Sequence, residues 1–468
     1  MTYYVSLYAN SIKTKYGYIL FNGMNGAIDE VDNYIGKAFE NRDITEIENN
    51  LNKGEIEHLL KRGYLTLLPP QEEEDVFKKF TTVLRQSMEK GNESGSFMLL
   101  LSYNCNLRCP YCYQQEHRHR NSGTIMSEGM VDLIFEKLYN KIIPDLKLEK
   151  TRIMFYGGEP FLPSNKPAIY RALEWAKKYG MRVSAITNAT MTDTMPDIFS
   201  NKPGYVSWCQ VSLDGSKRFH DKSRITADGR GTYEKILSNL KFMLEKGVSI
   251  SLRLNLDRKK LESIQELMDE LKSAGILEYK NLSIYASPLH DNIAKVDSTD
   301  FMDLYELSTK LLNQGIDLEH PVSSRANEMS LLFKAKKGLG LNRTDFCMQS
   351  SQRTIIVDPF GDLYSCFEEA GYPEYRIGRI VGQEVESFPL KEHYRNRYVS
   401  NLNECTKCSV ALACGGQCGI KSRIKRGDVY KVYCENMREI ILQSLKFSYE
   451  KYKEEGFKNF SEGISSHD

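Results

Sequence analysis

The stretch FMLLLSYNCNLRCPYCYQQ, residues 97–115, places three cysteines directly after an apolar run. Cys105, Cys109 and Cys112 are spaced C-x3-C-x2-C, and Tyr111 lies between the last two. The apolar run is typical of a buried strand, and the loop after a barrel strand is where enzymes carry reactive groups. Three thiolates can bind three irons of a [4Fe–4S] cluster and leave the fourth iron open. A zinc site that lacks one ligand, or a set of reactive surface cysteines, is the alternative interpretation.

The composition limits the other function classes. A chain of 468 residues predicts two or three domains. Its 63 Lys+Arg balance 62 Asp+Glu, so nucleic acid is not an expected partner. The N-terminus lacks the pattern of a signal peptide, and no run approaches the roughly 18 apolar residues of a membrane span. We therefore expect a cytoplasmic protein that binds no membrane.

A reducing cytoplasm changes how the 11 cysteines are interpreted. Clustered thiols there bind metal more often than they form disulfides. Ten of the cysteines fall into two spaced sets, and only Cys209 stands alone, within an apolar strand pattern. The pattern predicts that Cys209 is a buried core thiol.

Strand-like and helical runs alternate between residues 96 and 295. The six strand-like runs are FMLLLSY, RIMFYGG, RVSAIT, VSWCQVSLDG, ISLRLNL and LSIYASP. Six β/α repeats predict an α/β fold with a parallel sheet that curls into a partial TIM-type (β/α)6 barrel. The chemistry of such barrels lies at the carboxyl ends of the strands.

The rest of the chain divides around this barrel. We predict a small winged-helix-like α+β domain over residues 1–72, a linker helix over 73–95 and the barrel over 96–295. A helical bridge over 296–345 then leads to a Cys-rich domain over 346–436. The segment 437–468 is expected to be a helix followed by a polar tail.

Short motifs follow the barrel strands in a fixed order. They read Gly157-Gly158-Glu159-Pro160, Thr187-Asn188, Ser212-Leu213-Asp214-Gly215 and His220-Asp221-Lys222-Ser223-Arg224. With the preceding C-x3-C-x2-C, this order resembles the radical S-adenosylmethionine (radical SAM) enzymes. The resemblance implies that SAM chelates the open iron. An electron passed into its sulfonium would release a 5′-deoxyadenosyl radical that abstracts hydrogen.

The resemblance also implies residues that contact the cofactor. Paired glycines let the chain bend closely around a ligand, and Glu159 can accept hydrogen bonds from an ammonium. Arg224 can donate two hydrogen bonds to the SAM carboxylate in a bidentate pair, and Tyr111 is expected near the adenine. The full set of cofactor-binding candidates is Tyr111, Gly157, Gly158, Glu159, Pro160, Asn188, Ser212, Asp214 and Arg224.

The second set of cysteines resembles the SPASM extension of radical SAM enzymes that modify peptides and proteins. The pattern is Cys347-x13-Gly361-x4-Cys366, then Cys405-x2-Cys408-x5-Cys414-x3-Cys418, then Cys434. The resemblance implies two auxiliary [4Fe–4S] clusters, and hence three clusters in the chain. Cys405, Cys408, Cys414 and Cys434 would bind one of the two, and Cys347, Cys366 and Cys418 would bind the other.

Seven cysteines leave one of the auxiliary irons open. Relatives with full ligation have an eighth cysteine at the position of Leu341. The open iron could take the thiolate of a substrate cysteine, a water molecule or another side chain. A structural zinc ribbon is the alternative, although seven thiols suit tetrahedral zinc poorly.

The N-terminal unit resembles the element that grips leader peptides of ribosomally made natural products. An extended leader would add a strand to its small sheet. A structural cap or a DNA-binding winged helix is the alternative, and the acidic residues of its helices count against DNA.

Together the resemblances imply a maturase of a ribosomally synthesised precursor peptide, with a Cys thioether as the leading product. Carbon–carbon cross-linking comes next, followed by oxidation of a sulfatase residue to formylglycine. The sulfatase-modifying enzymes have a catalytic Asp where this chain has Phe367, and Glu368 or Glu369 could replace that base. A non-catalytic iron–sulfur electron carrier is the alternative from another class. The expected partners are the precursor peptide and an electron donor such as flavodoxin or ferredoxin.

Overall fold

The computed structural model describes residues 2–120, 123–289, 300–314 and 343–455, together with residues 318, 320 and 322. The strands in these ranges are β1 Tyr4–Val5, β2 Ala9–Thr14, β3 Gly17–Asn22, β4 Ile28–Val31, β5 Leu65–Thr66, β6 Gly95–Leu100, β7 Thr151–Tyr156, β8 Arg182–Thr187, β9 Val206–Leu213, β10 Ser249–Leu256, β11 Leu282–Pro288, β12 Thr354–Val357, β13 Asp362–Tyr364, β14 Gly378–Val381 and β15 Glu384–Ser387.

The helices are named in the same way. They are α1 Asn33–Asn41, α2 Ile44–Asn50, α3 Lys53–Arg62, α4 Pro70–Glu89, α5 Gln115–Arg120, α6 Glu128–Leu133, α7 Tyr139–Ile142, α8 Lys166–Tyr179, α9 Lys217–Ser223, α10 Tyr233–Glu245, α11 Arg258–Glu262, α12 Ile264–Ser273, α13 Leu304–Asn313, α14 Met348–Ser351, α15 Pro389–Arg395, α16 Asn403–Thr406, α17 Ala411–Cys414, α18 Gly419–Arg426 and α19 Met437–Glu455. None of the described helices has the length and hydropathy needed to span a membrane.

The six predicted barrel strands are confirmed. Strands β6 to β11 lie side by side in sequence order, and each pairs in parallel with its neighbour. Alternate residues of β10, such as Ile250 and Leu252, belong to the main hydrophobic core that the helices cover. Because the strands are parallel, their carboxyl ends meet at one edge of the sheet, where the motif loops begin.

The sheet continues beyond the barrel strands. Strand β12 pairs in parallel with β6, and β13, β14 and β15 follow as antiparallel neighbours. Residues 346–436, which the sequence predicts as a Cys-rich domain, thus contribute strands to the same sheet as the barrel. The apolar run Thr354–Val357 covers the edge of β6 that the barrel strands leave free, so one sheet of ten strands joins the two regions.

The N-terminal unit contains a strand, β4, where its sequence pattern predicts the start of a helix. The sequence of residues 27–41, AIDEVDNYIGKAFEN, has apolar residues at helical spacing and predicts a helix, but residues 28–31 form β4, which pairs with β3. The sheet order is β2-β3-β4, all antiparallel. Residues 44–63 also have helical spacing throughout and predict one helix, but they form α2 and α3, because Asn52 begins α3 with a capping box that includes Glu55.

The segment predicted as a linker is the helix α4, which packs against both flanking regions. The ring of Phe77 stacks on Tyr8 of the N-terminal unit at 4.7 Å between centroids. The Arg85 guanidinium reaches Asp345, just before the first auxiliary cysteine, at 2.8 Å. The Tyr8 hydroxyl donates to the carbonyl oxygen of Thr406 at 2.7 Å. The N-terminal unit is therefore fixed directly to the Cys-rich region.

Part of the predicted bridge and the C-terminal tail lie outside the described residues. Within residues 296–345 the structure describes α13, which has helical form as expected. Leu341 and the tail beyond residue 455 lie outside the described residues.

Candidate active site and cysteine groups

Paired glycines join two of the motif loops at the carboxyl edge of the sheet. Gly158 N donates to Ser102 O at 3.0 Å, and Glu159 N donates to Asn104 O at 2.8 Å. A Cβ atom on Gly157 would lie 2.4 Å from Ser102 O, and one on Gly158 would lie 2.2 Å from Asn104 O. Gly157 also has a φ of 143°, which favours glycine. The two glycines therefore let the GGEP loop pack directly against the chain that leads into the Cys105 loop.

Glu159 has a different use from the expected ammonium contact. Its side chain is fully buried, and its oxygens accept hydrogen bonds from Thr187 Oγ1 at 2.7 Å, Asn188 N at 2.7 Å and Phe161 N at 3.1 Å. Burial raises the pKa of this carboxyl, and the three donors lower it in part. Glu159 thus fixes the ends of β7 and β8 relative to each other.

The three cysteines of the first set lie in one loop, next to the residues that Glu159 holds by hydrogen bonds. The Asn188 side chain donates to Cys105 Sγ at 3.7 Å and to Asn106 Oδ1 at 3.0 Å. Burial raises the pKa of Cys105 to about 12, and nearby Glu159, Cys109 and Cys112 raise it further. Free thiols at this position keep their protons, whereas bound iron would displace them.

Tyr111, Asp214 and Arg224 form one buried network. The Tyr111 hydroxyl donates to Asp214 at 2.5 Å, and Arg224 Nη1 donates to the Tyr111 oxygen at 2.9 Å. Asp214 also accepts from Asn255 Nδ2 at 3.1 Å, with Lys260 Nζ at 3.8 Å. Burial raises the pKa of Asp214, but Arg224 and Lys260 hold it below its ordinary value. Asn255 and Lys260 are not among the predicted site residues, because their segments carry no motif.

His220 explains the spacing of the last motif. Its Nδ1 accepts from Asp214 N at 3.3 Å, and its Nε2 lies 3.1 Å from Thr232 Oγ1. The Thr232 hydroxyl in turn donates to Arg224 O at 2.7 Å. This arrangement requires a neutral imidazole with its proton on Nε2. Burial lowers the pKa of His220 to about 4.

The site retains polar atoms that suit a ligand. Arg224 Nε and Ser102 Oγ are buried without a hydrogen-bond partner. Ser212 lies on the inner face of β9, in register with Arg253 of β10. Pro160 is buried and holds its loop by accepting from Asn165 Nδ2 at 3.0 Å. The three thiols of this loop suit an iron–sulfur cluster. The two buried polar atoms without partners and the bend at the glycines suit a ligand with charged ends that binds to that cluster.

The second set of cysteines divides into two groups in space. Burial raises the pKa of Cys347 and of Cys366; Cys418 raises both pKa values further, and Cys347 also raises that of Cys366. The remaining four cysteines form a separate group. After burial, Cys414 raises the pKa of Cys405, Cys408 and Cys434. The structure therefore brings together the same sets that the resemblance implied.

A glycine pair brings these two groups close together. A Cβ atom on Gly415 would lie 2.2 Å from Asp345 O, two residues before Cys347. Gly415 and Gly416 have φ values of 81° and 93°. Among the described residues, no three His, Cys, Asp or Glu side chains are placed to hold a single metal ion. A cubane cluster places each thiolate on a different iron, so its ligands stand farther apart.

Glu369 does not suit the role of a free catalytic base. It is fully buried, accepts from Tyr394 Oη at 2.5 Å and pairs with Arg423. Burial raises its pKa, and Arg423 and Tyr394 lower it in part. The expectation for Glu369 is therefore corrected, because Arg423 approaches from a helix 54 positions along the chain. Glu369 anchors this helix to the Cys366 loop.

The Phe367 ring, next to Cys366, packs between the two cysteine sets, 6.3 Å from the Tyr113 ring and 6.0 Å from the Tyr156 ring. Burial raises the pKa of the Tyr156 phenol, and the charges of Cys112, Glu368 and Cys366 raise it further. Glu368 follows Phe367 in the same loop, and Tyr156 is the last residue of β7. Within the barrel, Arg253 Nη2 donates to Ser287 Oγ at 3.0 Å. The mouth of the barrel thus opens between the first cysteine set and the three-cysteine group.

Comparison with known proteins agrees with this geometry. Residues 99–276 match the family model described as the Radical SAM superfamily. The chain is 24% identical over 449 residues to the radical SAM cyclopropyl synthase TigE of Paramaledivibacter caminithermalis, which covers 88% of this chain and 89% of that protein. It is 24% identical over 370 residues to a cysteine-type anaerobic sulfatase-maturating enzyme of Clostridium novyi, covering 74% of this chain and 93% of that enzyme.

A solved structure shows the same fold. Streptococcus suis SuiB bound to S-adenosylmethionine superposes with a TM-score of 0.51 at 17% identity, covering 92% of this chain and 99% of SuiB. A second SuiB structure, bound to the precursor peptide SuiA, gives a TM-score of 0.50 at 15% identity, covering 92% and 98%.

Proposed function

This chain is a radical SAM enzyme, and we propose that it matures a ribosomally synthesised peptide by forming a cross-link, in first place a Cys thioether. One observation carries the proposal. The three-cysteine group lies beside the loop of Cys105, Cys109 and Cys112, the radical SAM loop: the Phe367 ring, next to Cys366, lies 6.3 Å from the ring of Tyr113, next to Cys112. A substrate cysteine bound to an open auxiliary iron would thus stand next to the site of hydrogen abstraction.

The residues around the opening of the barrel would have separate roles. When bound, the first cluster and SAM supply a 5′-deoxyadenosyl radical that takes a hydrogen atom. Cys105, Cys109 and Cys112 would hold that cluster, and Arg224 and Ser102 offer unsatisfied polar atoms to SAM. Cys347, Cys366 and Cys418 would hold the cluster with the open iron. Glu368, which follows Phe367 in the Cys366 loop, would receive the substrate's thiol proton.

Thioether formation removes two hydrogen atoms from the peptide. One leaves as the hydrogen atom abstracted from carbon, and the other leaves the thiol as a proton. One electron must also leave when the new carbon–sulfur bond forms, and the auxiliary groups are its proposed acceptors. An external flavodoxin or ferredoxin would supply the electron that starts each turnover.

The N-terminal unit is the proposed leader-binding region. A cleft of about 610 Å³ lies between β4 and α3, lined by residues that include Glu30, Asp32, Glu55 and His58. In the described residues β4 pairs only with β3, so its other edge can accept an extended peptide. The acidic lining favours a leader with basic residues near this edge. The match of SuiB to 92% of the chain supports this assignment.

Anaerobic reconstitution tests the proposal. The enzyme, SAM, dithionite and the precursor peptide encoded beside the gene should give 5′-deoxyadenosine and a peptide that lacks two hydrogen atoms per cross-link. A matched reaction with the Cys109→Ala variant should give neither product. Absence of both products with the unaltered enzyme would refute the maturase proposal, and modification of a sulfatase peptide instead would favour formylglycine formation.

Carbon–carbon bond formation is the second candidate, supported by the similarity to a cyclopropyl synthase over most of both chains. Both reactions remove two hydrogen atoms, so mass alone does not separate them. Alkylation of the product with iodoacetamide does. A thioether consumes a cysteine thiol and blocks alkylation at that residue, whereas a carbon–carbon bond leaves every cysteine reactive.

A further inference from the structure

Arg397 is a fully buried cation at the centre of the Cys-rich region. Its Nε donates to Val429 O at 2.6 Å, its Nη1 to Gln417 O at 2.8 Å and its Nη2 to Gly416 O at 2.8 Å. All three nitrogens are thus fixed by backbone carbonyls, and the guanidinium has one well-defined position.

No carboxylate balances this charge in the part of the chain that the structure describes. The other cations near the cysteines are paired: Arg85 with Asp345, Arg423 with Glu369 and Lys421 with Glu435. Carbonyl dipoles satisfy the hydrogen bonds of Arg397 but not its net charge. A buried ion without a counter-ion is destabilised by several kcal/mol, so negative charge is required nearby.

Cysteine thiols of both auxiliary groups surround Arg397. Cys405 and Cys414 belong to the four-cysteine group and Cys347 and Cys418 to the three-cysteine group, and all four interact electrostatically with its guanidinium.

Two glycines define how closely the guanidinium approaches. A Cβ atom on Gly416 would lie 3.9 Å from Arg397 Nη1 and 3.9 Å from Cys405 Sγ. One on Gly419, next to Cys418, would lie 3.1 Å from Arg397 Nε. The guanidinium therefore stands between the two groups, in contact distance of the loops that carry both.

We propose that Arg397 is a positioning residue that supplies one positive charge shared by both auxiliary clusters and makes both easier to reduce. The inference rests on the proposed function for the presence of those clusters. Iron bound by thiolates forms an anionic cluster, and a cluster that takes up an electron gains further negative charge. A fixed guanidinium in a low-dielectric interior stabilises that reduced form most strongly. Electron transfer from the maturing substrate would thereby be favoured.

Redox titration of the reconstituted enzyme, followed by electron paramagnetic resonance with dithionite as reductant, tests this role. Replacing Arg397→Gln should move the midpoint potentials of both auxiliary clusters to more negative values. Arg397→Lys keeps the charge and should retain most of the original potentials. The radical SAM cluster is the internal control, because its cysteines interact with Arg224 rather than Arg397. Arg395→Gln, at an exposed position two residues away, is the matched control variant.

The outcomes separate this inference from the proposed function. Unaltered enzyme that assembles no auxiliary cluster would refute the proposed cofactor set. Auxiliary clusters whose potentials do not change in Arg397→Gln, or change equally with that of the radical SAM cluster, would refute the role of Arg397 alone. If folded Arg397→Gln loses both auxiliary clusters, their recovery in Arg397→Lys supports the charge role, and their continued loss opposes it.

Thermal unfolding gives a second test that needs no redox signal. In the holoenzyme Arg397→Gln removes both hydrogen bonds and attraction to the clusters, whereas in metal-free protein it also removes an unbalanced charge. The loss of melting temperature should therefore be larger in the holoenzyme. An equal loss in both forms would show that Arg397 is only a structural donor to three carbonyls.

Discussion

The radical SAM loop and the Cys-rich region balance their buried charges in different ways. In the barrel, Asp214 and Arg224 lie 3.9 Å apart and share Tyr111 as a hydrogen-bond partner. In the Cys-rich region, Arg397 has backbone carbonyls but no carboxylate among the described residues. The first site is thus electrostatically complete before its cluster binds, whereas the second requires a cluster for charge balance. We expect the barrel site to keep its structure without iron and the Cys-rich region to depend on it.

The largest expected contrast is between Cys109→Ala and Cys405→Ala. Cys109→Ala should abolish 5′-deoxyadenosine formation with little change in melting temperature, because backbone and carboxylate bonds hold its surroundings. Cys405 is 7% exposed and packs in a cluster that includes Tyr8 and Phe77. Its loss should lower stability by several kcal/mol, because metal-binding energy is folding energy at such a site.

Melting curves of both variants, purified anaerobically, measure this contrast, with iron content determined in parallel. Ser409→Ala provides a control within the same loop, because it removes the hydroxyl that donates to Asn10 and accepts from Arg438, and no thiol. Equal destabilisation by Cys109→Ala and Cys405→Ala would end the distinction between the two regions.

The next effect concerns the internal charge balance of the barrel. Asp214→Asn leaves Arg224 buried without its carboxylate, whereas Lys260 keeps Asp257 at 3.3 Å, and we expect a loss of about 3–5 kcal/mol in the free energy of unfolding. Asp228→Asn is the control, because Asp228 and its partner Arg230 are both exposed. Its cost should stay below about 1 kcal/mol. Denaturant unfolding measures both, and similar costs would show that burial of the network contributes little.

Much of the barrel could be predicted from sequence, because each of its signals is local. An apolar run marks each strand, and the bounds of β8 and β11 agree with the predicted segments. The cysteine spacings also predicted groups that the structure brings together. Each of these patterns lies within a few consecutive residues or repeats an established spacing.

The features that were missed depend on distant parts of the chain. The strand Ile28–Val31 looks helical until β3 offers it a partner. Glu369 looks like an exposed acid until Arg423 approaches it from α18. Arg397 has no local signal, because its partners lie 19 to 32 residues away. Sequence patterns therefore show which elements form, but not which buried charges meet.

A smaller effect should appear in the pH dependence of the barrel site. Burial lowers the pKa of His220 to about 4, against 6.5 as its reference value. The unfolded chain therefore binds the proton more readily, and the stabilising contribution is complete above about pH 6.5 and lost as the pH falls towards 4. Over this range we expect a loss of about 3 kcal/mol.

Denaturant unfolding of the unaltered protein and His220→Gln between pH 4 and 7 measures this contribution. The difference in free energy of unfolding between the two should shrink as the pH falls. His58→Gln, at an exposed position, controls for the loss of an imidazole. A difference that stays constant with pH would mean that folding does not shift the pKa of His220.

The opposite dependence is expected on the Cys-rich side of the sheet, at the β12–β13 hairpin. Burial raises the pKa of Asp358 to about 6, although Tyr103 and two backbone donors favour its ionised form. The folded protein binds this proton more tightly than the unfolded chain does. The contribution is therefore complete below about pH 4 and lost as the pH rises through 6, by up to about 3 kcal/mol. Asp358→Asn should remove this slope and leave that of His220 unchanged, whereas a slope that persists in Asp358→Asn would assign it to another carboxyl.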